Sequence, residues 1–347
     1  MNTADVDLRA KVDCLSRPET FPDRPRAVEA IETHFAWVFL AGRFVYKLKK
    51  PLRFHDFDLT SLATRRANCE LEVALNRRLA PTVYIGTVPL NADGAALSLG
   101  GTGKPVEWLV KMHRLPRERS LDRLAAADML HDEQLHALLR TLTAFYAAAA
   151  RAPWDGRSYR RALAAELERT ADDLSAPALG LDGTEVREIA AGLTSRMTAN
   201  AEAFHARIAA GRVVDAHGDL RPEHVFLTPE PQVIDCLEFS ADLRLLDSAA
   251  EIAFLALECE RLGHGRLAAR LIELYRHYGR DDIGTDLLGL YRASRAFVWA
   301  KLAAWHVHDE LAPATANHWR ERATWYLGIA ASELTGDRAH TRSSVQA

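Results

Sequence analysis

The alternation of apolar and polar positions changes character once along the chain. Residues 36–49, AWVFLAGRFVYKLK, read as a hairpin: an apolar strand, a turn at Ala41-Gly42-Arg43, and a second strand of period two. In that second strand Val45, Lys47 and Lys49 share one face, and Phe44, Tyr46 and Leu48 the other. Residues 60–79 predict a helix capped by Thr60 or Ser61, with Leu71, Leu75 and Leu79 as its apolar stripe and Pro81 just past its end. VYIGTVPL and VEWLVKM predict two further strands, parted by a Gly/Asn/Asp-rich turn region at 91–105. From about residue 118 helical spacing takes over, with helices expected at 120–150, 156–175, 184–210, 247–263, 266–279, 285–309 and 314–335. It is interrupted at 212–239, where RVVDAHGDLRPEHVFL and PQVIDCLEF read as short strands around a polar loop. The pattern predicts an α+β chain. A sheet-plus-helix lobe at 1–112 precedes a mainly helical lobe at 113–335, and GDRAHTRSSVQA at 336–347 reads as a flexible tail.

Composition narrows the class. The 347 residues are 48% hydrophobic and 26% charged, enough apolar material for two lobes. A net charge of -3 argues against a dedicated nucleic-acid binder or a polybasic membrane-surface protein. No apolar run approaches the roughly 20 residues of a membrane helix. MNTADVDLRAKVDCLSRPET has neither a basic n-region nor an apolar h-region, so a cytoplasmic location is expected. Cys14, Cys69, Cys236 and Cys259 lack metal-site spacing and read as buried thiols. Lysine usage is the telling feature. Of 44 basic residues only seven are Lys, yet three of them fall in Tyr46-Lys47-Leu48-Lys49-Lys50. A compact ammonium is not interchangeable with a guanidinium in a buried site, so this cluster marks candidate chemistry.

The chemistry-bearing segment is His217-Gly218-Asp219-Leu220-Arg221-Pro222-Glu223-His224, followed by Val233-Ile234-Asp235-Cys236-Leu237-Glu238. Two acidic groups at the edges of β-like runs, a hairpin apart, suit phosphoryl transfer. One carboxylate positions the acceptor hydroxyl, and the other holds a metal against the phosphates. The Lys47/Lys49 face would supply a cation for those phosphates. GGTGKP at 100–105 is not a phosphate loop, because Ser98 stands at the first Gly position and Pro105 follows the Lys.

HGDLRPEHVFL with VIDCLEF resembles the catalytic and metal loops of the aminoglycoside phosphotransferase-like family of the protein-kinase-like superfamily. The run from Lys47 through Glu72 is similar to a bacterial subfamily of predicted kinases of that type, and the likeness extends from about residue 30 to residue 310. The resemblance implies a bilobal kinase fold with Mg·ATP in the cleft. Matched by position, Asp219 is the catalytic Asp, Arg221 steadies the transferring phosphate, and Asp235 holds magnesium. Lys47 binds the α- and β-phosphates, with Lys49 as the fallback, and Glu72 pairs with it. Val110-Lys111-Met112 resembles the hinge, so the Val110 and Met112 backbones would meet adenine. The family also often has an acidic brace for the catalytic loop at the position of Asp247, which is otherwise most simply a helix N-cap.

Two departures are visible. His224 stands where the family has an Asn metal ligand, so His224 tolerates a weaker site, or Glu238 supplies oxygen, or preference shifts toward manganese. No glycine-rich loop precedes Lys47, and the corresponding turn is Glu32-Thr33-His34. The expectation is a kinase acting on a hydroxyl-bearing small molecule, with no nucleic-acid or membrane partner. A nucleotide-binding pseudokinase, a protein kinase acting on Ser or Thr, and a nucleotidyl transferase are the rivals. Arg292, Arg295 and Lys301 read either as a solvated face or as part of an acceptor pocket for an acidic substrate.

Overall fold

A computed structural model describes residues 6–54, 57–94, 96–305 and 313–336. The expected tail, except Gly336, and the end of the 285–309 helix lie outside the described residues. The chain forms two compact units, 1–130 with 223–243, and 131–222 with 244–347.

The first unit opens with helix α1 (Leu8–Leu15) and strands β1 (Val28–Glu32), β2 (Ala36–Ala41), β3 (Phe44–Lys49), β4 (Arg53–Phe54) and β5 (Phe57–Asp58). Helix α2 (Leu62–Asn76) follows, then β6 (Tyr84–Asp93), β7 (Ala96–Leu99), β8 (Lys104–His113) and the short α3 (Leu121–Ala126). Six strands make one antiparallel sheet in the order β1-β2-β3-β8-β6-β7. The predicted hairpin is β2–β3, closed by Gly42 at φ 62°, where the left-handed backbone favours glycine. The turn region at 91–105 holds the end of β6 and one unpredicted strand, β7; Gly100–Gly103 form the turn beyond it, and Lys104 and Pro105 already open β8.

The period-two reading of β3 holds. Phe44, Tyr46 and Leu48 are buried in a cluster with Leu15, Phe21, Phe39 and Leu109, while Val45 packs with Val73, Tyr84, Val110 and Met112. Each such buried large side chain contributes about 1.5–3 kcal/mol. Helix α1, unanticipated from sequence, is fixed by Lys11, whose ammonium lies 2.8 Å from the fully buried Glu107 carboxylate. Arg65 of α2 reaches the same carboxylate at 2.9 Å. Helix α2 is capped by Ser61, which accepts from Thr64 N at 3.1 Å. Its expected stripe needs correction, because Leu71 is 41% exposed and the inward positions are Arg65, Cys69, Glu72, Val73, Leu75 and Asn76. The inward face is partly polar because it meets the ammonium groups of β3.

The second unit contains α4 (Asp132–Ala148), α5 (Gly156–Leu174), α6 (Gly183–Ala199), α7 (Ala201–Ala209) and β9 (Val213–Asp215). The loop region returns to the first unit as β10 (Val225–Phe226) paired with β11 (Gln232–Val233), followed by a four-residue helix α8 (Ala241–Arg244). Strand β12 (Leu245–Asp247) then pairs with β9, and α9 (Ser248–Arg261), α10 (Gly265–Gly279), α11 (Thr285–Trp305) and α12 (Pro313–Thr335) complete the unit. Helix α9 is its core, buried from Ser248 to Cys259. All four cysteines are buried free thiols, and burial pushes the Cys69 thiol up to about 12. No described helix is long and apolar enough to cross a membrane.

Candidate active site

The residues singled out in the sequence fall into two sets, one in each unit. In the first, the alternation of β3 turns Lys47 and Lys49 toward α2, where Glu72 is fully buried. Lys47 Nζ lies 3.1 Å from Glu72 Oε1 and 2.9 Å from Asp235 Oδ1. Lys49 donates to Glu72 and to Glu238. The result is a continuous chain, Asp235–Lys47–Glu72–Lys49–Glu238. His224 Nε2 stands 3.6 Å from the other Asp235 oxygen.

Charge is distributed unevenly along that chain. Burial alone would depress the Lys47 ammonium, but Asp235, Glu72, Glu238 and Tyr84 outweigh it and hold its pKa well above the usual value. Burial likewise opposes the charged Lys49, yet Glu238 and Glu72 raise it. Burial would raise Glu72, and the two lysines keep it below the ordinary carboxylate range. The Asp235 side chain is 45% exposed and that of Glu238 12%. Asp235 therefore presents a carboxylate outward, whereas Glu238, read in the sequence as a possible metal oxygen, is engaged by a buried lysine.

The backbone at Asp235 is in the left-handed region, φ 63°, which a non-glycine residue adopts only when its surroundings enforce it. The enforcement is visible. Ile234 N donates to His224 O at 3.0 Å, Asp235 N to Tyr84 Oη at 3.2 Å, and Cys236 N to Asn76 Oδ1 at 2.9 Å. Sequence reasoning missed Tyr84 and Asn76. Asn76 lies one turn beyond Glu72 and is buried, so a second polar residue at i+4 was the available signal.

The expected hinge needs a correction. Val110 and Met112 lie inside β8, where Val110 pairs with Lys47 and Thr87, and Met112 with Val45 and Tyr84. A strand paired on both sides has its backbone groups in the ladder. The chain leaves the sheet only after His113, through Arg114-Leu115-Pro116. Leu115 and Ile234 are part-buried against Val110 and Met112 in the same apolar cluster as Val45. The Glu32-Thr33-His34 turn before β2 is held by Thr33, whose N and Oγ1 both donate to Ala36 O at 2.8 Å.

In the second unit the His217-Gly218-Asp219 loop hangs on Glu251, fully buried on α9. Its carboxylate accepts from His217 N at 3.0 Å and Gly218 N at 2.6 Å, and Tyr146 Oη donates to it at 2.8 Å. Arg295 donates to Gly218 O at 2.8 Å, and Asp219 N to His217 Nδ1 at 3.3 Å. The structure thus gives the bracing position to Glu251, hidden in the sequence within an apolar helix. Asp247 instead caps α9 through Ala249 N at 2.8 Å and pairs with Arg207 at 2.6 Å.

Arg221 Nε lies 4.0 Å from Asp219 Oδ1 and 3.9 Å from Glu258 Oε2, with its guanidinium 5.2 Å above the Trp299 ring. Trp299 stacks on Phe254 at 4.7 Å, and Arg295 lies 4.9 Å from the Phe254 ring centre. Burial lowers the Arg295 pKa, against the pull of Glu251 and Asp219. The solvated-face reading of α11 fails: Arg292 pairs with Glu260 and Glu333, and buried Lys301 with Glu166.

The fold is shared with solved structures of kinases and phosphotransferases. A choline/ethanolamine kinase family protein from Mesorhizobium loti is similar over 95% of this chain and 99% of its own, at 16% identity and a TM-score of 0.52. An amicoumacin kinase in complex with AMP-PNP, Ca2+ and Ami gives a TM-score of 0.51 at 11% identity, over 94% of each chain. A thermostable mutant of an aminoglycoside phosphotransferase gives 0.50 at 11% identity, over 90% of this chain and 96% of its own. In sequence, uncharacterized proteins of Mycobacterium tuberculosis and Mycobacterium bovis are 32% identical over 298 residues, which is 83% of this chain. The chain spans only 56% of the length of those relatives. No family model matches it.

Proposed function

We propose that the chain is an ATP-dependent phosphotransferase that moves the γ-phosphate of a nucleotide to a hydroxyl of a small-molecule acceptor. The observation that carries this reading is the ion-pair chain Asp235–Lys47–Glu72. It holds an exposed carboxylate at a strained backbone position beside a lysine fixed by a buried glutamate. The amicoumacin kinase, whose fold this chain shares, holds AMP-PNP and Ca2+.

In this reading Lys47 contacts the α- and β-phosphates, and Glu72 keeps its ammonium in place. The apolar surface of Val45, Leu115 and Ile234 receives the adenine ring, with Val110 and Met112 behind it. Asp235 and His224 would hold magnesium. A single carboxylate plus substrate phosphates is a normal magnesium environment, and the imidazole makes manganese the alternative. Among the described residues no group of three or more His, Cys, Asp or Glu is placed to hold a metal, so the phosphates would complete the ligand set. When bound, the metal neutralises phosphate charge during in-line displacement. Glu238 anchors the metal loop through Lys49. Asp219 orients the acceptor hydroxyl and takes its proton late, while Arg221 stabilises charge on the equatorial oxygens.

A nucleotide-binding module without transfer is the second reading, favoured by His224 at an oxygen-ligand position. Incubation with γ-labelled ATP, magnesium and fractionated small-molecule extract separates the two. Label gained by an acceptor with the wild type, and lost with Asp219→Asn, supports transfer. Nucleotide binding with no labelled product from any fraction favours the second reading.

A further inference from the structure

The N-terminal turns of α5 carry Arg157, Arg160 and Arg161. A groove of about 340 Å³ between α5 and α6 is lined by these three with Thr194, Thr198 and Met197. No carboxylate lines it. Among the described residues none of the three guanidinium groups makes an ion pair or hydrogen bond, and Arg160 Nε is buried without a partner. Asp155 feels the Arg157 charge, but its carboxylate caps the helix on Ser158 N at 2.7 Å. An adjacent hollow shares Arg161 and is bordered by Glu168; it does not include Arg157 or Arg160.

Several other arginines of the unit are neutralised within the protein. Arg207, Arg244, Arg261, Arg270, Arg292 and Arg322 all lie within ion-pair distance of Asp or Glu. Like charges at i, i+3 and i, i+4 repel on a helix, and a buried unpaired guanidinium nitrogen is costly. An anion in the groove would relieve the like-charge repulsion. Guanidinium forks match phosphate oxygens in geometry and charge, and Thr194 and Thr198 on the groove wall bring neutral hydroxyl-bearing side chains. The volume falls within the usual range of small-ligand sites, about 300–1,000 Å³.

We propose that this groove is a binding site for the phosphate group of a phosphorylated small molecule. It is separate from the residues assigned to phosphoryl transfer, so it stands or falls independently of that reading.

The test is calorimetric titration of inorganic pyrophosphate, at low ionic strength, into wild type, an Arg157→Ala/Arg161→Ala double variant and Lys47→Met. Both arginines are exposed, so the double variant is expected to melt like the wild type. Removing charge-assisted contacts should weaken binding by about tenfold or more in the double variant. Lys47→Met should retain a binding event of wild-type affinity. The proposal is overturned if wild type does not bind at millimolar pyrophosphate, if the double variant binds equally well, or if Lys47→Met alone abolishes binding.

Discussion

Exchanging each β3 lysine for methionine should separate anchoring from ligand binding. Lys49 has a side chain only 3% exposed and joins Glu72 to Glu238. Lys49→Met keeps the volume but strands Glu238, and removing one member of a buried pair costs about 3–5 kcal/mol. Glu72 retains Lys47 at 3.1 Å, so the lower end, about 3 kcal/mol, is expected. Lys47 is 17% exposed, and its second partner Asp235 is 45% exposed and can be solvated. Lys47→Met should therefore cost roughly 1 kcal/mol, as for exposed pairs. It should weaken nucleotide binding by about 10- to 100-fold through loss of one charge-assisted contact. Urea unfolding gives the first quantity and calorimetric ATP titration the second. If Lys49→Met were the variant that folds normally and loses nucleotide, the assignment of the two lysines would be reversed.

Other consequences can be checked in parallel. Asp219→Asn should leave nucleotide affinity unchanged and remove transfer to any acceptor found, since the group acts on the transition state; equal losses in both would contradict this. Glu251→Ala leaves two loop N–H groups without their acceptor, at about 1–3 kcal/mol each. It should destabilise the second unit and abolish transfer, whereas Asp247→Asn should act mainly on stability. The pH dependence has a definite sign. Glu72 is held below its ordinary value of 4.5, so its contribution is present above that pH and lost as pH falls through the depressed value. Lys47 and Lys49 are raised above 10.5, so theirs is present below that pH and lost as pH rises through the raised values. The stability difference between wild type and Glu72→Gln should thus be flat between about pH 5 and 10, and a slope within that window by urea unfolding would count against the network.

The parts legible in the sequence were those written locally. Period two in β3 placed Lys47 and Lys49 on one face, and the spacing of Asp219 and Asp235 marked the loops. Helix α2 was found with Leu75, Leu79 and Glu72 correctly turned inward, and only Leu71 of its expected stripe was misplaced, since the usual rule turns leucines inward. Here Leu71 is exposed and Glu72 and Asn76 are buried, because the face opposite two lysines must be polar. Helix α1 has only two turns, and its placement depends on the distant Glu107. Val110 and Met112 were taken out of the sheet too early because VEWLVKM carries no stop signal, and pairing with β3 and β6 prolongs β8 to His113. Glu251 was invisible for a related reason. A lone acid in AAEIAFLAL shows its role only when the loop 34 residues earlier folds onto it.

The most direct measurement is a thermal-melt titration with ATP, with magnesium or EDTA, on wild type beside Asp235→Ala. Ligand at about 100 times its dissociation constant adds roughly 2.7 kcal/mol to folding stability. The account predicts a magnesium-dependent rise of that order in wild type and none in Asp235→Ala. An equal rise in both proteins, or a flat response at millimolar ATP in the wild type, would contradict it.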